Sequence, residues 1–384
     1  MRKRIGVWTN IVAAALVLWS LSAQAAPGDV LFEESSHQGD FRLVTVADNL
    51  KSPWGLDFLP GGSLIVTEWP GSVRIVRDGS VSAPLEGVPP VLGRDDWTGG
   101  MLSVVVHPQF AQNALIYLCY LHGDYDSNVS RIARGRLVGD RISDLEVIFE
   151  GNDRAEDHHH SGCRLVWDDD GRLLATFGDR RFLPDEAQVL ASTTGTIIRI
   201  NDDGSIPEDN PFVGRSDARP EIWAYGVRNV QGAVLHPQTR ALWFSEHGPL
   251  GGDEVNILKR GANYGWPIAT YGSDYDGTVI TEHTQLAGVE GPLVYWRPST
   301  APSGLAFYTG DHFPQWRGDL FMGSLVDRRL IRMELDGERV LFQEPLLAEL
   351  DERIRYVQMG PDGYLYILTD ADPGAILRLE PAGH

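Results

Sequence analysis

Short apolar strands joined by tight turns recur six times along the chain, and this repeat indicates the fold class. At intervals of 47 to 72 residues, the copies begin near Gly55, Leu102, Arg164, Gly232, Gly304 and Arg355. In each copy Pro, Gly or Asp occupies the turn and β-branched or aromatic residues flank it, which predicts a β-hairpin. A single hairpin cannot bury its apolar face, whereas six arranged radially can. The pattern therefore predicts an all-β chain folded as a six-bladed β-propeller with four-stranded antiparallel blades.

The two ends of the repeat region are expected to close the ring. Residues 41–50 alternate between apolar and polar positions and predict a strand, and residues 375–381 predict another. A β-propeller leaves no exposed edge when strands from both ends of the chain share one blade. We therefore expect a propeller domain over 42–384, a loose leader over 26–41, and a long excursion between blades over the Asp- and Gly-rich residues 271–291.

The first 25 residues have the pattern of a secretory signal peptide. Arg2, Lys3 and Arg4 precede an apolar stretch over residues 5–21, and Ala23-Gln24-Ala25 is a small-x-small cleavage site. The alternative is an uncleaved anchor, because the apolar stretch is long for a signal peptide. Cleavage predicts a periplasmic or secreted protein with no membrane insertion after the signal is removed.

The net charge narrows the possible ligands, and the two cysteines raise the question of a disulfide. The formal net charge of −20 argues against nucleic acid as a partner and is compatible with Ca²⁺, which prefers oxygen ligands. Cys119 and Cys163 could form a disulfide in an oxidising compartment. Cys119 lies in an apolar strand, however, where a free buried thiol is the more common state. The sequence favours free thiols without deciding the question.

Two polar segments directly precede predicted strands and contain candidate catalytic groups. The first is His158-His159-His160, in which a neutral imidazole can act as a general base. A surface metal patch or a solvated loop would explain three histidines equally well. The second contains Arg228 and Asn229, which offer several hydrogen-bond donors to one point, although a loop salt bridge is the simpler explanation.

Two further segments suggest ligands of opposite charge. Around Gly248 and Pro249, glycine and proline hold the backbone in tight turns, and Asp253 and Glu254 follow with carboxylates, which is the composition of an irregular Ca²⁺ site. Nearer the C-terminus, residues 353 and 355 are both arginine. On a strand their side chains share one face, and two adjacent cations favour an anion between them.

With these segments in view, the chain from about residue 41 onward resembles the soluble pyrroloquinoline quinone (PQQ) dependent glucose and aldose sugar dehydrogenases. The His-x-x-x-Arg-Leu pattern appears at residues 160–165, and Gly-Asp at 178–179. Gly-x-Arg-Asn-x-Gln-Gly appears at 226–232, and Glu-His-Gly-Pro through Asn-Tyr-Gly-Trp-Pro at 246–267. Chance agreement of these segments in the right order is remote.

The resemblance implies a role for each matching residue. His160 would be the base that takes the proton of the sugar's anomeric hydroxyl, and Asp179 would orient it. Arg228 would stabilise the oxyanion that develops on the quinone. The remaining implied assignments are cofactor contacts by Asn229, Ser299, Arg353 and Arg355, a catalytic Ca²⁺ on the carbonyls of Gly248 and Pro249, and a structural Ca²⁺ on Glu254 and the carbonyl of Tyr264.

Two positions depart from the family pattern. Thr98 replaces a glutamine that precedes Gly-Gly in the second repeat, and Val326 stands where a cofactor-contacting lysine is expected. An apolar residue there removes a charge-assisted hydrogen bond worth on the order of 1.5–3 kcal/mol. Arg328 and Arg329 are the candidates to reach the same point.

The sequence thus leads to one principal hypothesis and two alternatives. The principal hypothesis is PQQ- and Ca²⁺-dependent oxidation of an aldose at C1 to its lactone, with electrons passed to an external acceptor such as a quinone or a cytochrome. A Ca²⁺-dependent lactonase-type hydrolase is one alternative, but it does not require the paired arginines. A sugar-binding propeller that has lost PQQ is the other, supported by Thr98 and Val326.

Overall fold

The structure is a computed structural model that describes residues 26–92, 100–156 and 158–383. The predicted signal peptide over 1–25 and the departure at Thr98 lie outside the described residues.

The described chain forms six antiparallel β-sheets, the blades of a propeller. Blade 6 contains β1 (Val30–Ser36), β2 (Gly39–Leu50), β23 (Ile354–Met359), β24 (Leu365–Thr369) and β25 (Gly374–Pro381). Blade 1 contains β3 (Pro53–Phe58), β4 (Leu64–Glu68), β5 (Ser72–Arg77) and β6 (Ser80–Val81). Blade 2 contains β7 (Met101–Val106), β8 (Leu115–Asp124), β9 (Ser127–Val138) and β10 (Arg141–Glu150). Blade 3 contains β11 (Leu165–Trp167), β12 (Leu173–Phe177), β13 (Thr196–Ile200) and β14 (Ile222–Tyr225). Blade 4 contains β15 (Val230–Leu235), β16 (Leu242–Glu246), β17 (Asp253–Ile257) and β18 (Val294–Trp296). Blade 5 contains β19 (Pro302–Phe307), β20 (Leu320–Ser324), β21 (Leu330–Asp336) and β22 (Arg339–Leu346).

Helical structure is limited to single turns in the described chain. These turns are α1 (Phe110–Asn113) and two 3₁₀ segments, Pro184–Gln188 and Pro314–Trp316. Within the described residues no helix has the length and apolar character needed to cross a membrane. The prediction of an all-β, six-bladed propeller is confirmed, and each of the six predicted hairpins forms the first two strands of a blade.

The ring closes through blade 6, as the sequence predicts. Strand β2 pairs with β25, with Phe41 opposite Pro381 and Leu50 opposite Gly374. The first strands of neighbouring blades contact one another around the complete ring. One expectation for this region is corrected, because residues 26–41 are more than a loose leader. Strand β1 pairs with β2 along the outer edge of the blade and adds a fifth strand.

The second strands of the blades show how burial of a central strand is reflected in its sequence. Five of the six second strands, β4, β12, β16, β20 and β24, are buried at every residue, and β8 is buried along its middle. A second strand has hydrogen-bonded neighbours on both sides, and neighbouring blades cover both of its faces. Its sequence therefore reads as a short apolar run rather than a strict alternation. Each fully buried Leu, Val, Ile or Phe contributes about 1.5–3 kcal/mol of transfer free energy.

One end of the ring collects the segments that carry polar residues. Since strands alternate in direction within a blade, the turn between strands two and three lies at the same end as the connection to the next blade. The predicted excursion over 271–291 lies between β17 and β18, so it belongs to blade 4 rather than to a connection between blades. It reaches the polar end, where Ser273 pairs with Leu250.

A disulfide joins blade 2 to the segment that precedes blade 3. Cys119 in β8 and Cys163 are bonded, their Cα atoms lie 5.8 Å apart, and both side chains are buried. The expectation of free thiols is therefore wrong. Strand β8 and the chain leading into β11 approach each other within one apolar cluster, which the local sequence around either cysteine could not indicate.

Candidate functional site

His160 and Asp179 form a hydrogen-bonded pair at the polar end of the ring. His160 lies between β10 and β11, Asp179 lies between β12 and β13, and the distance from His160 Nδ1 to Asp179 Oδ1 is 2.6 Å. Because the carboxylate oxygen accepts, Nδ1 carries the hydrogen and Nε2 presents a lone pair. Trp266 Nε1 donates to the other carboxylate oxygen of Asp179 at 2.9 Å, which fixes the plane of the carboxylate.

Burial and hydrogen bonding set the protonation of this pair. The His160 side chain is 12% exposed and that of Asp179 1%. Burial lowers the pKa of His160 below its ordinary value, and this outweighs the hydrogen bond to Asp179, which raises it. Burial raises the pKa of Asp179, but the hydrogen bond from His160 and attraction from His160 and Arg228 together outweigh burial, and the net shift is downward. At neutral pH the pair is a neutral imidazole oriented by a carboxylate.

The loop that carries His160 has an unusual backbone. His160, Gly162 and Cys163 have φ angles of 47°, 65° and 68°, in the left-handed region. Non-glycine residues adopt this region at a cost of about 1 kcal/mol or more, so other contacts must hold the loop. Gly162 N donates to Asn229 Oδ1 at 3.2 Å, and the disulfide fixes Cys163 to blade 2.

Arg228 lies beside this pair on the connection between β14 and β15. Its Nη1 donates to the carbonyls of His247 at 3.1 Å and Gly248 at 2.6 Å, and its guanidinium lies 5.1 Å from the centre of the Trp266 ring. The Nε atom is buried and has no hydrogen-bond partner within the described chain. The turn before Arg228 requires glycine at residue 226, because a Cβ atom at that residue would lie 2.1 Å from Asn263 Oδ1.

The turn at Gly248 and Pro249 is held by Asp253. Gly248 N donates to Asp253 Oδ1 at 2.8 Å, and the hydroxyl of Ser299 donates to Asp253 Oδ2 at 2.5 Å. A Cβ at residue 248 would lie 2.3 Å from the Gly251 carbonyl, so this turn requires glycine. The structure therefore places Ser299 against Asp253, where it supports the turn, and not among the residues that line the two cavities described below.

Glu254 lies in a buried acidic group outside the ring centre. Asn256 Nδ2 donates to Glu254 at 3.0 Å and to Glu246 at 3.1 Å, while Asn256 Oδ1 is buried without a partner in the described residues. Burial raises the pKa of Glu254 to about 7, and burial together with the nearby Glu254 raises the pKa of Glu246. Glu254 and Tyr264 line a cavity of about 260 Å³. Across the described ranges no three or more His, Cys, Asp or Glu side chains converge as a metal cluster.

Arg353 and Arg355 share a carboxylate on the opposite side of the ring. Arg353 Nε and Arg355 Nη2 each lie 2.8 Å from Asp370 Oδ2. The anion expected between the two arginines is therefore supplied in part by the protein itself. Two guanidinium groups and one carboxylate leave an excess of one positive charge. Burial raises the pKa of Asp370, but attraction from Arg355 and the hydrogen bonds from both arginines lower it to about 2.

Two adjoining cavities bring these groups together. The first, which we call the central cavity, has a volume of about 430 Å³ and is lined by His160, Asn229, His247, Arg353 and Arg355 together with aromatic side chains. The second, the outer cavity, has a volume of about 840 Å³, and Asp179, Arg228 and Pro249 are among its lining residues. His160 lines the central cavity and Asp179 the outer one, so the hydrogen-bonded pair lies between the two cavities.

Three residues at the candidate site were assigned no role by the sequence reasoning. His247 lines the central cavity and its Nε2 donates to the Pro302 carbonyl at 2.7 Å. Burial and the nearby arginines lower the pKa of His247 to about 3, so it is neutral. Trp266 and Asp370 are the other two. His247 and Trp266 stand inside the recognised motifs and could have been assigned from them, but Asp370 follows β24 with no local signal.

Neither Val326 nor the two arginines that follow it lines the central cavity. Val326 lies on the exposed connection between β20 and β21, with 58% of its surface exposed, and the adjacent Leu325 lines the central cavity. Arg328 pairs with Asp351 at 3.4 Å, and Arg329 donates to the Arg328 carbonyl. These contacts direct the two arginines to partners outside the central cavity.

Comparison with known proteins agrees with the motifs. The family model described as Glucose / Sorbosone dehydrogenase matches residues 50–378. The chain is 41% identical to the aldose sugar dehydrogenase YliI of Escherichia coli K12 over 373 residues, which cover 95% of this chain and 97% of the relative.

Solved structures extend the comparison. The apo form of the soluble aldose sugar dehydrogenase of E. coli superposes with a TM-score of 0.85 at 40% identity, covering 89% of this chain and 100% of that one. The PQQ-bound form of the aldose sugar dehydrogenase of Streptomyces coelicolor superposes with a TM-score of 0.71 at 27% identity, covering 93% and 99%. The chain therefore belongs to the glucose/sorbosone dehydrogenase family.

Proposed function

We propose that the protein oxidises aldose sugars at C1 to the corresponding lactone, with PQQ and Ca²⁺ as cofactors, and passes the electrons to an external acceptor. The observation that carries the proposal is the His160–Asp179 pair, which lies between the central and outer cavities with Arg228 beside it. The names of the aldose sugar dehydrogenase relatives support the same substrate class and reaction.

The residues of the central cavity, together with Arg228 from the outer cavity, fit PQQ, an aromatic quinone with three carboxylates. Arg353 and Arg355 carry an excess positive charge against Asp370, and the Nε atom of Arg228 is a buried donor without a partner in the described chain. Guanidinium groups form charge-assisted hydrogen bonds to carboxylates, which are among the strongest available to a protein. We assign Arg228, Asn229, Arg353 and Arg355 as cofactor-binding residues, and Ser299 as support for the turn.

The two proposed calcium sites differ in how well their surroundings prepare them. The Gly248 carbonyl already accepts a hydrogen bond from Arg228, so a cation beside Gly248 and Pro249 meets a like charge. We expect Ca²⁺ to bind there together with an anionic ligand that offsets the guanidinium. At the second site, buried Glu254 with its raised pKa and the unpartnered Asn256 Oδ1 favour a cation near Glu254 and the Tyr264 carbonyl.

The chemistry follows from the orientation of His160. Its Nε2 lone pair accepts the proton of the anomeric hydroxyl, and the resulting imidazolium is stabilised by the Asp179 carboxylate on Nδ1. Bound PQQ would supply the hydride acceptor, and Ca²⁺ would act on it as a Lewis acid. The positive charge of Arg228 would stabilise the negative charge that develops on the bound quinone. Trp266 keeps Asp179 fixed through the transfer.

We also propose that the protein acts in the periplasm or outside the cell. The signal-peptide pattern over residues 1–25 and the Cys119–Cys163 disulfide both favour an oxidising compartment.

The proposal is tested by reconstitution. The mature protein is purified without PQQ, supplied with PQQ and Ca²⁺ separately and together, and assayed by dye reduction with a panel of aldoses. We expect turnover only with both additions, and a loss of about 100- to 10,000-fold in His160→Ala. His312→Ala, at a turn between the first two strands of blade 5 and so at the opposite end of the ring, is the matched control. PQQ-independent turnover, or full activity in His160→Ala, would refute the proposal.

A further inference from the structure

Arg164 occupies the centre of the ring and was assigned no role by the motif that contains it. It directly precedes β11, and only 2% of the residue is exposed. Its Nε donates to the Gln231 carbonyl at 2.5 Å, Nη1 to the Trp54 carbonyl at 3.2 Å and Nη2 to the Arg355 carbonyl at 3.3 Å. The three acceptors belong to the first strands of blades 4, 1 and 6. One side chain from blade 3 thus ties three other blades together.

The three residues whose carbonyls accept hydrogen bonds from Arg164 share one location in the ring. Trp54, Gln231 and Arg355 all line the central cavity. The guanidinium carbon lies 3.6 Å from the centre of the Trp54 ring and 4.6 Å from that of Tyr356, so two aromatic faces enclose it. Tyr356 and Leu165 line a different cavity of about 360 Å³ towards the other end of the ring. Arg164 therefore lies between the central cavity and this opposite opening.

The charge of Arg164 is not balanced by a carboxylate. It forms no ion pair among the described residues, and its hydrogen-bond acceptors there are neutral carbonyls. Burial lowers the pKa of Arg164 to about 9, with Tyr356 raising it and Arg355 lowering it, so the group is cationic at neutral pH. A buried charge acts over a longer range than an exposed one, because little water screens it.

The charge of Arg164 adds to an excess of positive charge already present on the wall of the central cavity. Arg353 and Arg355 share one carboxylate, that of Asp370, on the wall of the central cavity. Arg164 contributes a further positive charge from beneath. An uncompensated buried cation is costly unless a ligand of opposite charge balances it. The arrangement suits a ligand with several carboxylates.

We propose that Arg164 is a binding determinant for a polyanionic ligand of the central cavity and that it acts at a distance through its buried charge. The inference rests on the proposed function in taking PQQ as that ligand. At an effective dielectric constant of about 20, removing one charge about 10 Å from an anion weakens binding by about tenfold.

The test separates charge from packing by using two ligands that share one ring system and differ in charge. Wild type, Arg164→Met and Arg164→Lys are titrated without sugar, following protein fluorescence, with PQQ and with its trimethyl ester, in which the carboxylates are neutral. We expect Arg164→Met to bind PQQ about tenfold more weakly and the ester as wild type does. Arg164→Lys keeps the charge and should retain PQQ affinity within about threefold. Arg164→Gln serves as the neutral variant should the methionine variant not fold.

Arg332→Met is the matched control for removing a buried arginine. Arg332 is also fully buried, but it lies in blade 5 and pairs with Asp319 and Glu344. The PQQ affinity of Arg332→Met should equal that of wild type. Equal loss of PQQ and ester in Arg164→Met, or no loss of either, would overturn the inference.

Failure of the proposed cofactor is distinguishable from failure of this inference. If wild type binds neither PQQ nor the ester, the proposed function is wrong, and citrate replaces PQQ as the tricarboxylate probe. Weaker citrate binding in Arg164→Met than in wild type would then support the role of Arg164. Equal binding, or no citrate binding by wild type, would overturn it.

Discussion

The two walls of the central cavity treat charge in opposite ways. On the wall formed by blades 3 and 4, His160 is neutral and oriented by Asp179, whose second oxygen is fixed by Trp266. On the wall formed by blade 6, two arginines share the single carboxylate of Asp370. The first wall holds a neutral imidazole in a fixed orientation, whereas the second leaves positive charge unbalanced. In the proposed function the first wall moves the proton and the second binds the cofactor, and each wall can be tested alone.

The largest effect is expected from Asp179→Asn, which breaks the first wall. Without the carboxylate, the Nδ1 tautomer is no longer enforced and the imidazolium loses its counter-charge, so kcat should fall about 100- to 10,000-fold. PQQ affinity should stay within about threefold, because the arginine wall is untouched. Steady-state kinetics and a PQQ titration measure the two quantities.

Asp169→Asn is the control for that variant. Asp169 is an exposed aspartate that pairs with Arg240 in a turn between the first two strands of blade 3, at the other end of the ring. It should leave kcat unchanged. An Asp179→Asn enzyme with kcat near that of wild type would remove Asp179 from the proposed mechanism.

The second expected effect concerns the support of the His160 loop. Replacing Cys119 and Cys163 by alanine opens a link between residues 44 positions apart, which should lower the free energy of unfolding by about 4 kcal/mol. Because Cys163 follows His160 by three residues, we expect kcat to fall while PQQ affinity holds. Urea unfolding and single-turnover rates measure these effects. Loss of PQQ affinity with kcat intact would reverse the assignment of the two walls.

A third prediction compares the two arginines with each other. The Arg355 side chain is 13% exposed and that of Arg353 42%. A buried charge-assisted hydrogen bond contributes about 1.5–3 kcal/mol, while an exposed pair contributes about 0–1 kcal/mol. Arg355→Met should therefore weaken PQQ binding about 10- to 100-fold, and Arg353→Met by less than about fivefold. Equal effects of the two variants, measured by fluorescence titration, would contradict the burial argument.

The smallest expected effect is the response of the arginine wall to acid. The folded pKa of Asp370 is about 2, below the ordinary 3.8, so Asp370 contributes stability that is complete above the unfolded value and lost as pH falls from about 4 to 2. The loss should be about 2 kcal/mol in the free energy of unfolding. Urea unfolding of wild type and Asp370→Asn at pH 6 and pH 2.5 measures it. The same fall in both proteins would contradict the prediction.

The fold was predictable because its signal is repeated. Six hairpins gave the blade number, and the alternation over residues 41–50 gave the strand that closes the ring. The excursion over 271–291 was misplaced because a polar, glycine-rich segment indicates a loop but not which strands it joins. The strand Val30–Ser36 was missed because it is an edge strand, mostly exposed, with little apolar pattern to detect.

The site was predictable where its residues lie in one segment and obscure where they meet across blades. His160 and Asp179 stand 19 positions apart, and the family pattern brought them together. Ser299 is predicted to contact the cofactor, and the structure adds that its hydroxyl donates to Asp253, which lies 46 positions away in the sequence. The pairing of Cys119 with Cys163 and of Asp370 with the two arginines depends on the ring itself, which no local pattern encodes.

The pairing of β2 with β25 has a consequence for synthesis. Strand β2 is translated about 320 residues before its partner, so the backbone edge that pairs with β25 stays unpaired until Gly374–Pro381 has been made. A chain that stops before Gly374 keeps that strand edge open and exposes it to proteases and to other chains. Ring closure therefore makes a full-length transcript a condition of folding. Cellular quality control can recognise a truncated product by the unpaired edge of strand β2.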